Sequence, residues 1–421
     1  MGVVFMKVME KSAILKLLKQ KEYTKLLVAN SISRFGDSID AIAFSWMVYI
    51  LTGSELLLGA TFALNALPNL LFGAFTGVLA DRFDKKKIVI LSFLGRGIAV
   101  TIIGLLYFTG NLALWHIFAL TVVNSTLEIL MSPAVISMLP KLIDKDSYTS
   151  ANSLSASIYK FTELIGTAIA GIIIAKLGIT GALLIDAGTF FAAAGIIYLI
   201  KYAPEELEKV KLNVKSTFED IKEGFSYLKL NKIVLISMIL FAIINFCLSP
   251  ISVLLPIFSN KILKGGPEVL SLISISLSVG TILGGLVVAH IGDKIQGYKL
   301  LIGAAFIFGL SYSFLYMPGN IIASKELSLI ATAIGFGLMG LMIPAMTAPI
   351  STYVLVNTDK KVLGRVSGIM SLVSTGIIPL GAALTGAVAQ YFSASLIFLI
   401  MGAIIILTSL GLLFNNNLKT A

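Results

Sequence analysis

The chain has 421 residues, of which 57% are hydrophobic and only 13% are charged, whereas about a quarter of the residues in soluble domains are charged. This composition excludes a soluble globular protein and predicts a chain that is embedded in lipid. The formal net charge of +10 would fit a nucleic-acid-binding protein only if the basic residues were clustered on a soluble domain.

Apolar runs of about 20 residues, long enough to cross roughly 30 Å of hydrocarbon, recur along the chain. Residues 1–22 are predicted to form a retained, basic, amphipathic segment in the cytoplasm. The first six-helix bundle is predicted in residues 23–201, with helices 1 to 6 at 23–51, 54–80, 88–108, 114–139, 149–177 and 179–201.

A polar linker follows at residues 202–231, and the capping-box spacing of Ser216-Thr217-Phe218-Glu219 predicts a surface helix within it. A cytoplasmic tail is predicted at residues 415–421. Between them, residues 232–414 form the second bundle, with predicted helices 7 to 12 at 232–259, 267–291, 300–317, 326–353, 363–392 and 394–414.

Most Lys and Arg residues fall in segments that are cytoplasmic if both termini are cytoplasmic. This bias is the positive-inside rule, and it accounts for the net charge without a nucleic acid partner. We therefore predict a multi-pass protein of the cell (inner, cytoplasmic) membrane with both termini in the cytoplasm. The basic residues that fall elsewhere are Lys176, Lys261, Lys264 and Lys325 on the opposite side, and Arg34, Arg96 and Lys160 within helices.

The two predicted bundles show signs of an internal duplication. Asp81-Arg82 after predicted helix 2 matches Asp293-Lys294 after predicted helix 8. At nearly the same sequence offset, Gly166 and Gly171 in helix 5 match Gly381 and Gly386 in helix 11. The predicted fold is therefore an all-α membrane protein whose twelve transmembrane helices form two pseudo-symmetric six-helix bundles.

The loop between predicted helices 2 and 3 reads Gly77-Val78-Leu79-Ala80-Asp81-Arg82-Phe83-Asp84-Lys85-Lys86-Lys87. It resembles the signature loop of the major facilitator superfamily, except that Asp84 replaces the second glycine. Further stretches look like the macrolide-efflux and siderophore-exporter branch: Gly36-Asp37, Thr52-Gly53-Ser54, Pro133, Pro140 and Ala151-Asn152-Ser153. The resemblance covers nearly the whole chain and implies the major facilitator fold and secondary transport by alternating access.

The resemblance also implies a cytoplasmic gate loop, made of Gly77, Asp81, Arg82, Lys85 and Lys86. Asp81 lies at the C-terminal end of predicted helix 2, where a negative charge is unfavourable and needs a cation or the N-terminus of a facing helix, such as predicted helix 11. In the family this contact is a latch that breaks when the carrier opens inward. The alternative for the lysines is that they only fix the topology.

Ionisable residues inside a bilayer are costly, so each is a functional candidate or needs a partner. They concentrate in the first half of the chain. We predict Asp37, Glu128 and Glu163 as proton-coupling groups, because a carboxyl group in a low-dielectric cavity can bind and release a proton near neutral pH. The predicted intramembrane charge partners are Arg34, Asp40, Arg96, Lys160 and Asp186.

The alternative is that these charges form neutral pairs that only hold helices together, and the spacing of Arg34–Asp37 and of Lys160–Glu163 allows pairing within one helix. Candidates for lining a substrate cavity are aromatic and amide side chains, although each could instead contact lipid or another helix. These candidates are Asn65, Asn124, Asn245, Phe44 and Phe241.

No catalytic or metal site is predicted. A single cysteine, Cys247, excludes an internal disulfide, and the distant His116 and His290 do not have zinc-ligand spacing. No phosphate-binding loop or catalytic triad spacing is found, so we predict neither an enzyme nor a cofactor.

The predicted function is secondary active transport, with proton-coupled efflux of drugs or other amphiphilic small molecules by a monomer. A dedicated metabolite or siderophore exporter is the first alternative, and a non-transporting membrane receptor with a carrier fold is the second.

Overall fold

The computed structural model describes residues 17–144, 147–202, 231–359 and 362–414. These residues are almost entirely helical, and within these ranges no strand is found apart from an isolated bridge between Pro318 and Ile322. Most of the N-terminal amphipathic segment, the linker helix at Ser216 and the C-terminal tail lie outside the described residues, so these features remain predictions.

In the described part of the first half, five α-helices are found: α1 Lys21–Thr52, α2 Glu55–Arg82, α3 Lys85–Phe108, α4 Leu114–Leu142 and α5 Tyr148–Tyr198. Six follow in the second half: α6 Lys232–Ile257, α7 Pro267–Ile291, α8 Gly297–Phe314, α9 Lys325–Asn357, α10 Leu363–Val388 and α11 Ala394–Leu412. Among the described residues, nine helices are long and apolar enough to cross a membrane. The chain is thus a multi-pass membrane protein, while the count of twelve stays a prediction.

Helix α5 is broken at Gly178, whose φ of 72° lies in the left-handed region that favours glycine. Its 51 residues would extend about 75 Å as one straight helix, more than twice the thickness of the hydrocarbon layer. The break falls between the predicted helices 5 and 6. We refer to the residues before and after Gly178 as the first and second arms of α5.

Side-chain caps set the start of several helices. Asp84 accepts a hydrogen bond from the Lys87 amide at 3.2 Å and caps α3. The residue that departs from the signature loop therefore supplies a helix cap, because a carboxylate satisfies an otherwise unpaired N–H group. Asn231, Ser324 and Ser393 cap α6, α9 and α11 in the same way.

The chain divides into two compact units. The first unit contains Met1–Phe44 and Leu67–Leu212, and the second contains Ser45–Ala66 and Asn213–Ala421. In the first unit, α3 packs against α4 and α5. In the second, α9 packs closely on α7, α8 lies against α9 and α11, and α10 packs on α6.

The predicted duplication has a counterpart in packing. A Cβ atom added at Gly166 in α5 would lie 2.8 Å from Cβ of Ser38 in α1. A Cβ atom added at Gly381 in α10 would lie 2.9 Å from Cβ of Ser249 in α6. In each unit, the matched glycine thus lets its helix approach a serine on the first helix of the same half.

The second unit has a core of aromatic rings, which we call the aromatic core. It is centred on Phe398 in α11, which is fully buried. The ring centroid of Phe398 lies 5.2 Å from that of Phe258, 5.3 Å from that of Tyr312 and 6.3 Å from that of Phe336. Phe308 extends the core through Tyr312 at 5.8 Å, in an edge-to-face arrangement.

Candidate functional site

The first unit contains a buried arginine, Arg96, in the middle of α3. Its side chain is only 3% exposed. Its Nη2 atom donates to Asp37 Oδ1 at 2.7 Å, and its Nε atom donates to Asn124 Oδ1 at 3.0 Å. The guanidinium carbon lies 4.3 Å from the ring centroid of Phe190. Arg96 therefore contacts α1, α4 and the second arm of α5 with the rigid, planar fork that distinguishes arginine from lysine.

Two partly exposed carboxylates lie next to this buried arginine. Glu128 in α4 lies 3.7 Å from Arg96 Nη2 and is 43% exposed. Asp37 is 22% exposed, and its Oδ2 atom accepts a hydrogen bond from Ser33 Oγ at 3.4 Å. The guanidinium group is thus buried inside the unit, whereas both of its acidic partners are partly accessible to solvent.

A further carboxyl group, Asp186, lies in the second arm of α5 and is 1% exposed. It interacts electrostatically with Asp40, Asp37 and Arg96. Gly36 of α1 packs directly over it, since a Cβ atom added there would overlap the side chains of Asp186 and Thr189. We call this group the Arg96 cluster; it consists of Arg96, Asp37, Asp40, Asn124, Glu128 and Asp186.

One of the two ion pairs that the sequence allows within a helix is present in the structure. Lys160 Nζ and Glu163 Oε1 form an ion pair at 2.6 Å, and both side chains are about 40% exposed. The other pair is not formed: Arg34 is exposed, and Asp37 accepts its hydrogen bond from Arg96 instead. An arginine from α3 thus replaces the local partner.

The predicted cavity residues do not form one group. Only Asn124 joins the charged residues, through Arg96. The Asn245 side chain donates to the Phe241 carbonyl of its own helix at 2.8 Å, and Asn65 is exposed. Phe44 and Phe241 are half-buried. A role of these five residues in substrate binding remains a prediction.

Sequence analysis missed the environment of Asp186. It did not place Phe190 against Arg96 or Gly36 over Asp186 and Thr189. One signal was available, since Asp186 and Phe190 are four positions apart and therefore lie on the same face of a helix. The partner helices of that face cannot be read from local spacing.

The gate loop is described only in part. The surroundings of Gly77 and the side chains of Asp81 and Arg82 lie outside the described part of the chain, so the latch stays a prediction. Lys86 Nζ donates to the carbonyl groups of Tyr198 and Ile200 at 2.8 and 2.7 Å, at the end of α5. A lysine in this position satisfies unpaired carbonyls and complements the negative end of the helix dipole.

The second unit contains an ion pair that the sequence did not predict. Lys261 Nζ lies 2.6 Å from Glu55 Oε1, which joins the start of α2 to the π-helical turn Phe258–Ile262 that follows α6. The Tyr49 hydroxyl lies in the same region and donates to Asn260 Oδ1 at 3.1 Å. These contacts explain why residues 45–66 group with the second unit although they belong to the first half of the sequence.

Comparisons with known proteins agree on one family. The family described as transmembrane secretion effectors matches residues 12–421. The MFS-type transporter YfiS of Bacillus subtilis is 28% identical, over 93% of this chain and 92% of that protein. Macrolide efflux protein A of Streptococcus pyogenes is 24% identical, over 92% and 94%. The staphyloferrin A transporter of Staphylococcus aureus is 25% identical, over 94% and 97%.

The fold is also similar to that of a transporter of known structure. The crystal structure of the nucleoside transporter NupG superposes with a TM-score of 0.75 at 12% identity and covers 94% of this chain and 100% of that one. The family match extends over nearly the whole chain, and the relatives are transporters and not enzymes. The chain therefore belongs to the transmembrane secretion effector family of the major facilitator superfamily and is a membrane transporter.

Proposed function

We propose that this transporter exports amphiphilic small molecules in exchange for protons, and that the proton acts at the Arg96 cluster. The observation that carries the proposal is the 2.7 Å ion pair between the buried Arg96 and the partly exposed Asp37. A proton that reaches Asp37 removes the partner of a buried cation. Because an unpaired buried charge is costly, protonation must be accompanied by a rearrangement of the helices that carry the pair.

Glu128 is the second coupling group in this proposal. It lies near Arg96 and is more exposed than Asp37, so it can take over the cation when Asp37 is protonated. Glu163 has less support, because it is half-exposed and has its own cation in Lys160. The proposal therefore places proton coupling at Asp37 and Glu128, and a coupling role of Glu163 stays a prediction.

The proposed substrate class is supported by names of relatives, which include macrolide efflux protein A and the multidrug efflux pump Tap of Mycolicibacterium fortuitum. The staphyloferrin A transporter supports the alternative of a dedicated siderophore or metabolite exporter. The proposal includes a location in the cell membrane, cytoplasmic termini and function as a monomer. With transporters as relatives, a non-transporting receptor has no support.

The test uses purified protein in proteoliposomes, with ethidium as the probe and an imposed pH gradient. We expect wild-type protein to move ethidium against its concentration gradient and to move protons in the opposite direction. Asp37→Asn should lose uphill movement, and Glu128→Gln should reduce it. Ethidium flux that does not respond to the pH gradient or to a protonophore would refute proton coupling.

The two substrate classes are separated by thermal unfolding of the same protein. A drug exporter should be stabilised weakly by many amphiphiles, including ethidium and macrolides. A dedicated exporter should instead be stabilised by one siderophore class, with no effect from dyes. Reporter fusions at the C-terminus, active only in the cytoplasm or only outside, check the proposed orientation.

A further inference from the structure

Asp186 is the most deeply buried carboxyl group of the Arg96 cluster. It is 1% exposed, against 22% for Asp37 and 43% for Glu128. Its Oδ1 atom accepts a hydrogen bond from Thr189 Oγ1 at 3.4 Å. Its Oδ2 atom has no hydrogen-bond partner among the described residues. A buried carboxylate oxygen without a donor is strongly destabilising, whereas a protonated carboxyl group tolerates the same site.

The groups that face Asp186 do not compensate a negative charge. Asp37 and Asp40 face it from α1, and Arg96 faces it from α3. Four carboxyl groups interact with this single guanidinium: Asp37, Glu128, Asp186 and Asp40. The short hydrogen bonds of Arg96 go to Asp37 and Asn124. With all four acids ionised, the cluster would hold three negative charges in excess, which is unfavourable where the groups are shielded from water.

We propose that Asp186 is protonated in this conformation and that it takes part in proton exchange during transport together with Asp37 and Glu128. The role in proton exchange rests on the proposed function, whereas the protonation of Asp186 does not. Asp186 was predicted from the sequence only as a charge partner, and the unpartnered oxygen and the packing around it assign it the further role.

Gly36 provides the link between this proton and a change of conformation. It packs against Asp186 and Thr189 so closely that no side chain fits between α1 and the second arm of α5. Water reaches Asp186 only when these two segments separate. The O–H bond of the carboxyl group then breaks, the proton passes to water, and the carboxylate competes with Asp37 for Arg96.

The reverse step requires a proton. An ionised Asp186 cannot return under Gly36 without either a proton from water or Arg96 as its partner, because the closed site offers no other cation among the groups that face it. One proton taken up on one side and released on the other restores the starting state. The packed site therefore permits closure only when Asp186 is protonated or has taken Arg96 from Asp37.

The first part is tested without any substrate. Infrared difference spectra of the purified protein between neutral and alkaline pH should show the carbonyl band of a buried protonated carboxyl group. The band should be lost in Asp186→Asn and kept in Glu326→Gln, which removes an exposed carboxylate at the start of α9. A wild-type spectrum without the band, or a band that persists in Asp186→Asn, overturns the assignment.

The second part is tested in proteoliposomes with ethidium. Asp186→Asn should lose uphill export and the accompanying proton flux but keep the exchange of ethidium at equal concentrations, and Glu326→Gln should match the wild type. Uphill export by Asp186→Asn, or loss of exchange together with export, overturns the role in coupling. A wild-type protein without proton-driven flux refutes the proposed function instead, and the infrared result still decides the protonation of Asp186.

Discussion

In the first unit Arg96 is buried among carboxyl groups, whereas at the corresponding place in the second unit Phe308 is buried among aromatic rings. The two positions are related by the offset that pairs Asp81 with Asp293, and α3 and α8 begin at related residues. Arg96 holds Asp37 at 2.7 Å, and Phe308 contacts Tyr312 in the aromatic core. The predicted duplication thus relates a charged centre in one unit to an apolar centre in the other.

The two centres should respond differently to protons. Contacts between aromatic rings arise from dispersion and quadrupole interactions, and these do not depend on pH. The arrangement around Arg96 depends on which of its carboxyl partners is ionised. We therefore expect changes in the Arg96 cluster to alter both coupling and stability, and changes in the aromatic core to alter stability alone.

The largest effect is expected from Arg96→Leu. It leaves the buried Asp186 and the partly exposed Asp37 without their cation, which should lower the free energy of unfolding by about 3–5 kcal/mol and abolish uphill ethidium transport. Thermal unfolding in detergent and the proteoliposome assay measure the two effects. The double variant Arg96→Leu/Asp37→Asn should recover part of the stability but not the transport. If the single variant kept uphill transport, the cluster would have no part in coupling.

A smaller effect is expected from Phe398→Leu in the aromatic core. The substitution keeps an apolar side chain but removes the ring contacts to Phe258, Tyr312 and Phe336, and should lower the free energy of unfolding by about 2 kcal/mol. The pH dependence of ethidium export, measured on the folded fraction, should match the wild type. A shifted pH profile would show that the two centres are not independent.

Smaller losses of stability are expected from substitutions at the matched glycines, Gly166 and Gly381. In Gly166→Ala the new methyl group lies 2.7 Å from the Phe35 carbonyl oxygen, which cannot move away, so we expect a loss of about 1–2 kcal/mol in the free energy of unfolding.

Gly381→Ala meets Cβ of Ser249 at 2.9 Å and the Ser249 hydroxyl group, which can rotate away, and its three nearest contacts include no backbone atom. Its loss should therefore be smaller than that of Gly166→Ala, and thermal unfolding of both variants measures the difference. Equal losses would mean that the two contacts are equally rigid.

The helices were predictable from the sequence because the signals that define them are local. The apolar run predicted at 267–291 coincides with α7, and α4 begins at the predicted residue 114. The ends differ where a polar side chain caps a helix or where a helix extends beyond the apolar run, as at Asp84 and at the end of α9. The break at Gly178 follows from a glycine between two apolar runs.

For the candidate site, the residues could be predicted from the sequence, but the contacts between them could not. Buried charge identified Arg96, Asp37 and Glu128 because such residues are rare in apolar segments. Their partners depend on which helices meet. The spacing of Arg34 and Asp37 is as favourable as that of Lys160 and Glu163, yet only the second pair forms, since Asp37 has a competitor from α3. Spacing along one helix carries no information about that competition.

The smallest effect is expected for a charge at the edge of the first unit. Glu22, near the start of α1, accepts hydrogen bonds from Lys25 Nζ at 2.9 Å and from the Lys201 amide at 2.6 Å. Burial alone would raise the pKa of Glu22, but these hydrogen bonds and the nearby positive charges outweigh it, and the pKa is lowered. A lowered pKa means that Glu22 stabilises the fold above its unfolded pKa of about 4.3, and that this contribution is lost as the pH falls through the folded value.

Glu22→Gln should therefore cost about 0.2–1 kcal/mol at neutral pH, and the difference from wild type should shrink at acidic pH. Thermal unfolding at both pH values measures it, with Lys25→Met as the variant that removes the partner charge. A difference that persisted in acid would come from packing and not from charge. Since Glu22 and Asp37 both contact a cation, a small effect at Glu22 beside a large one at Arg96 would show that burial, and not the number of ion pairs, makes the Arg96 cluster sensitive to protons.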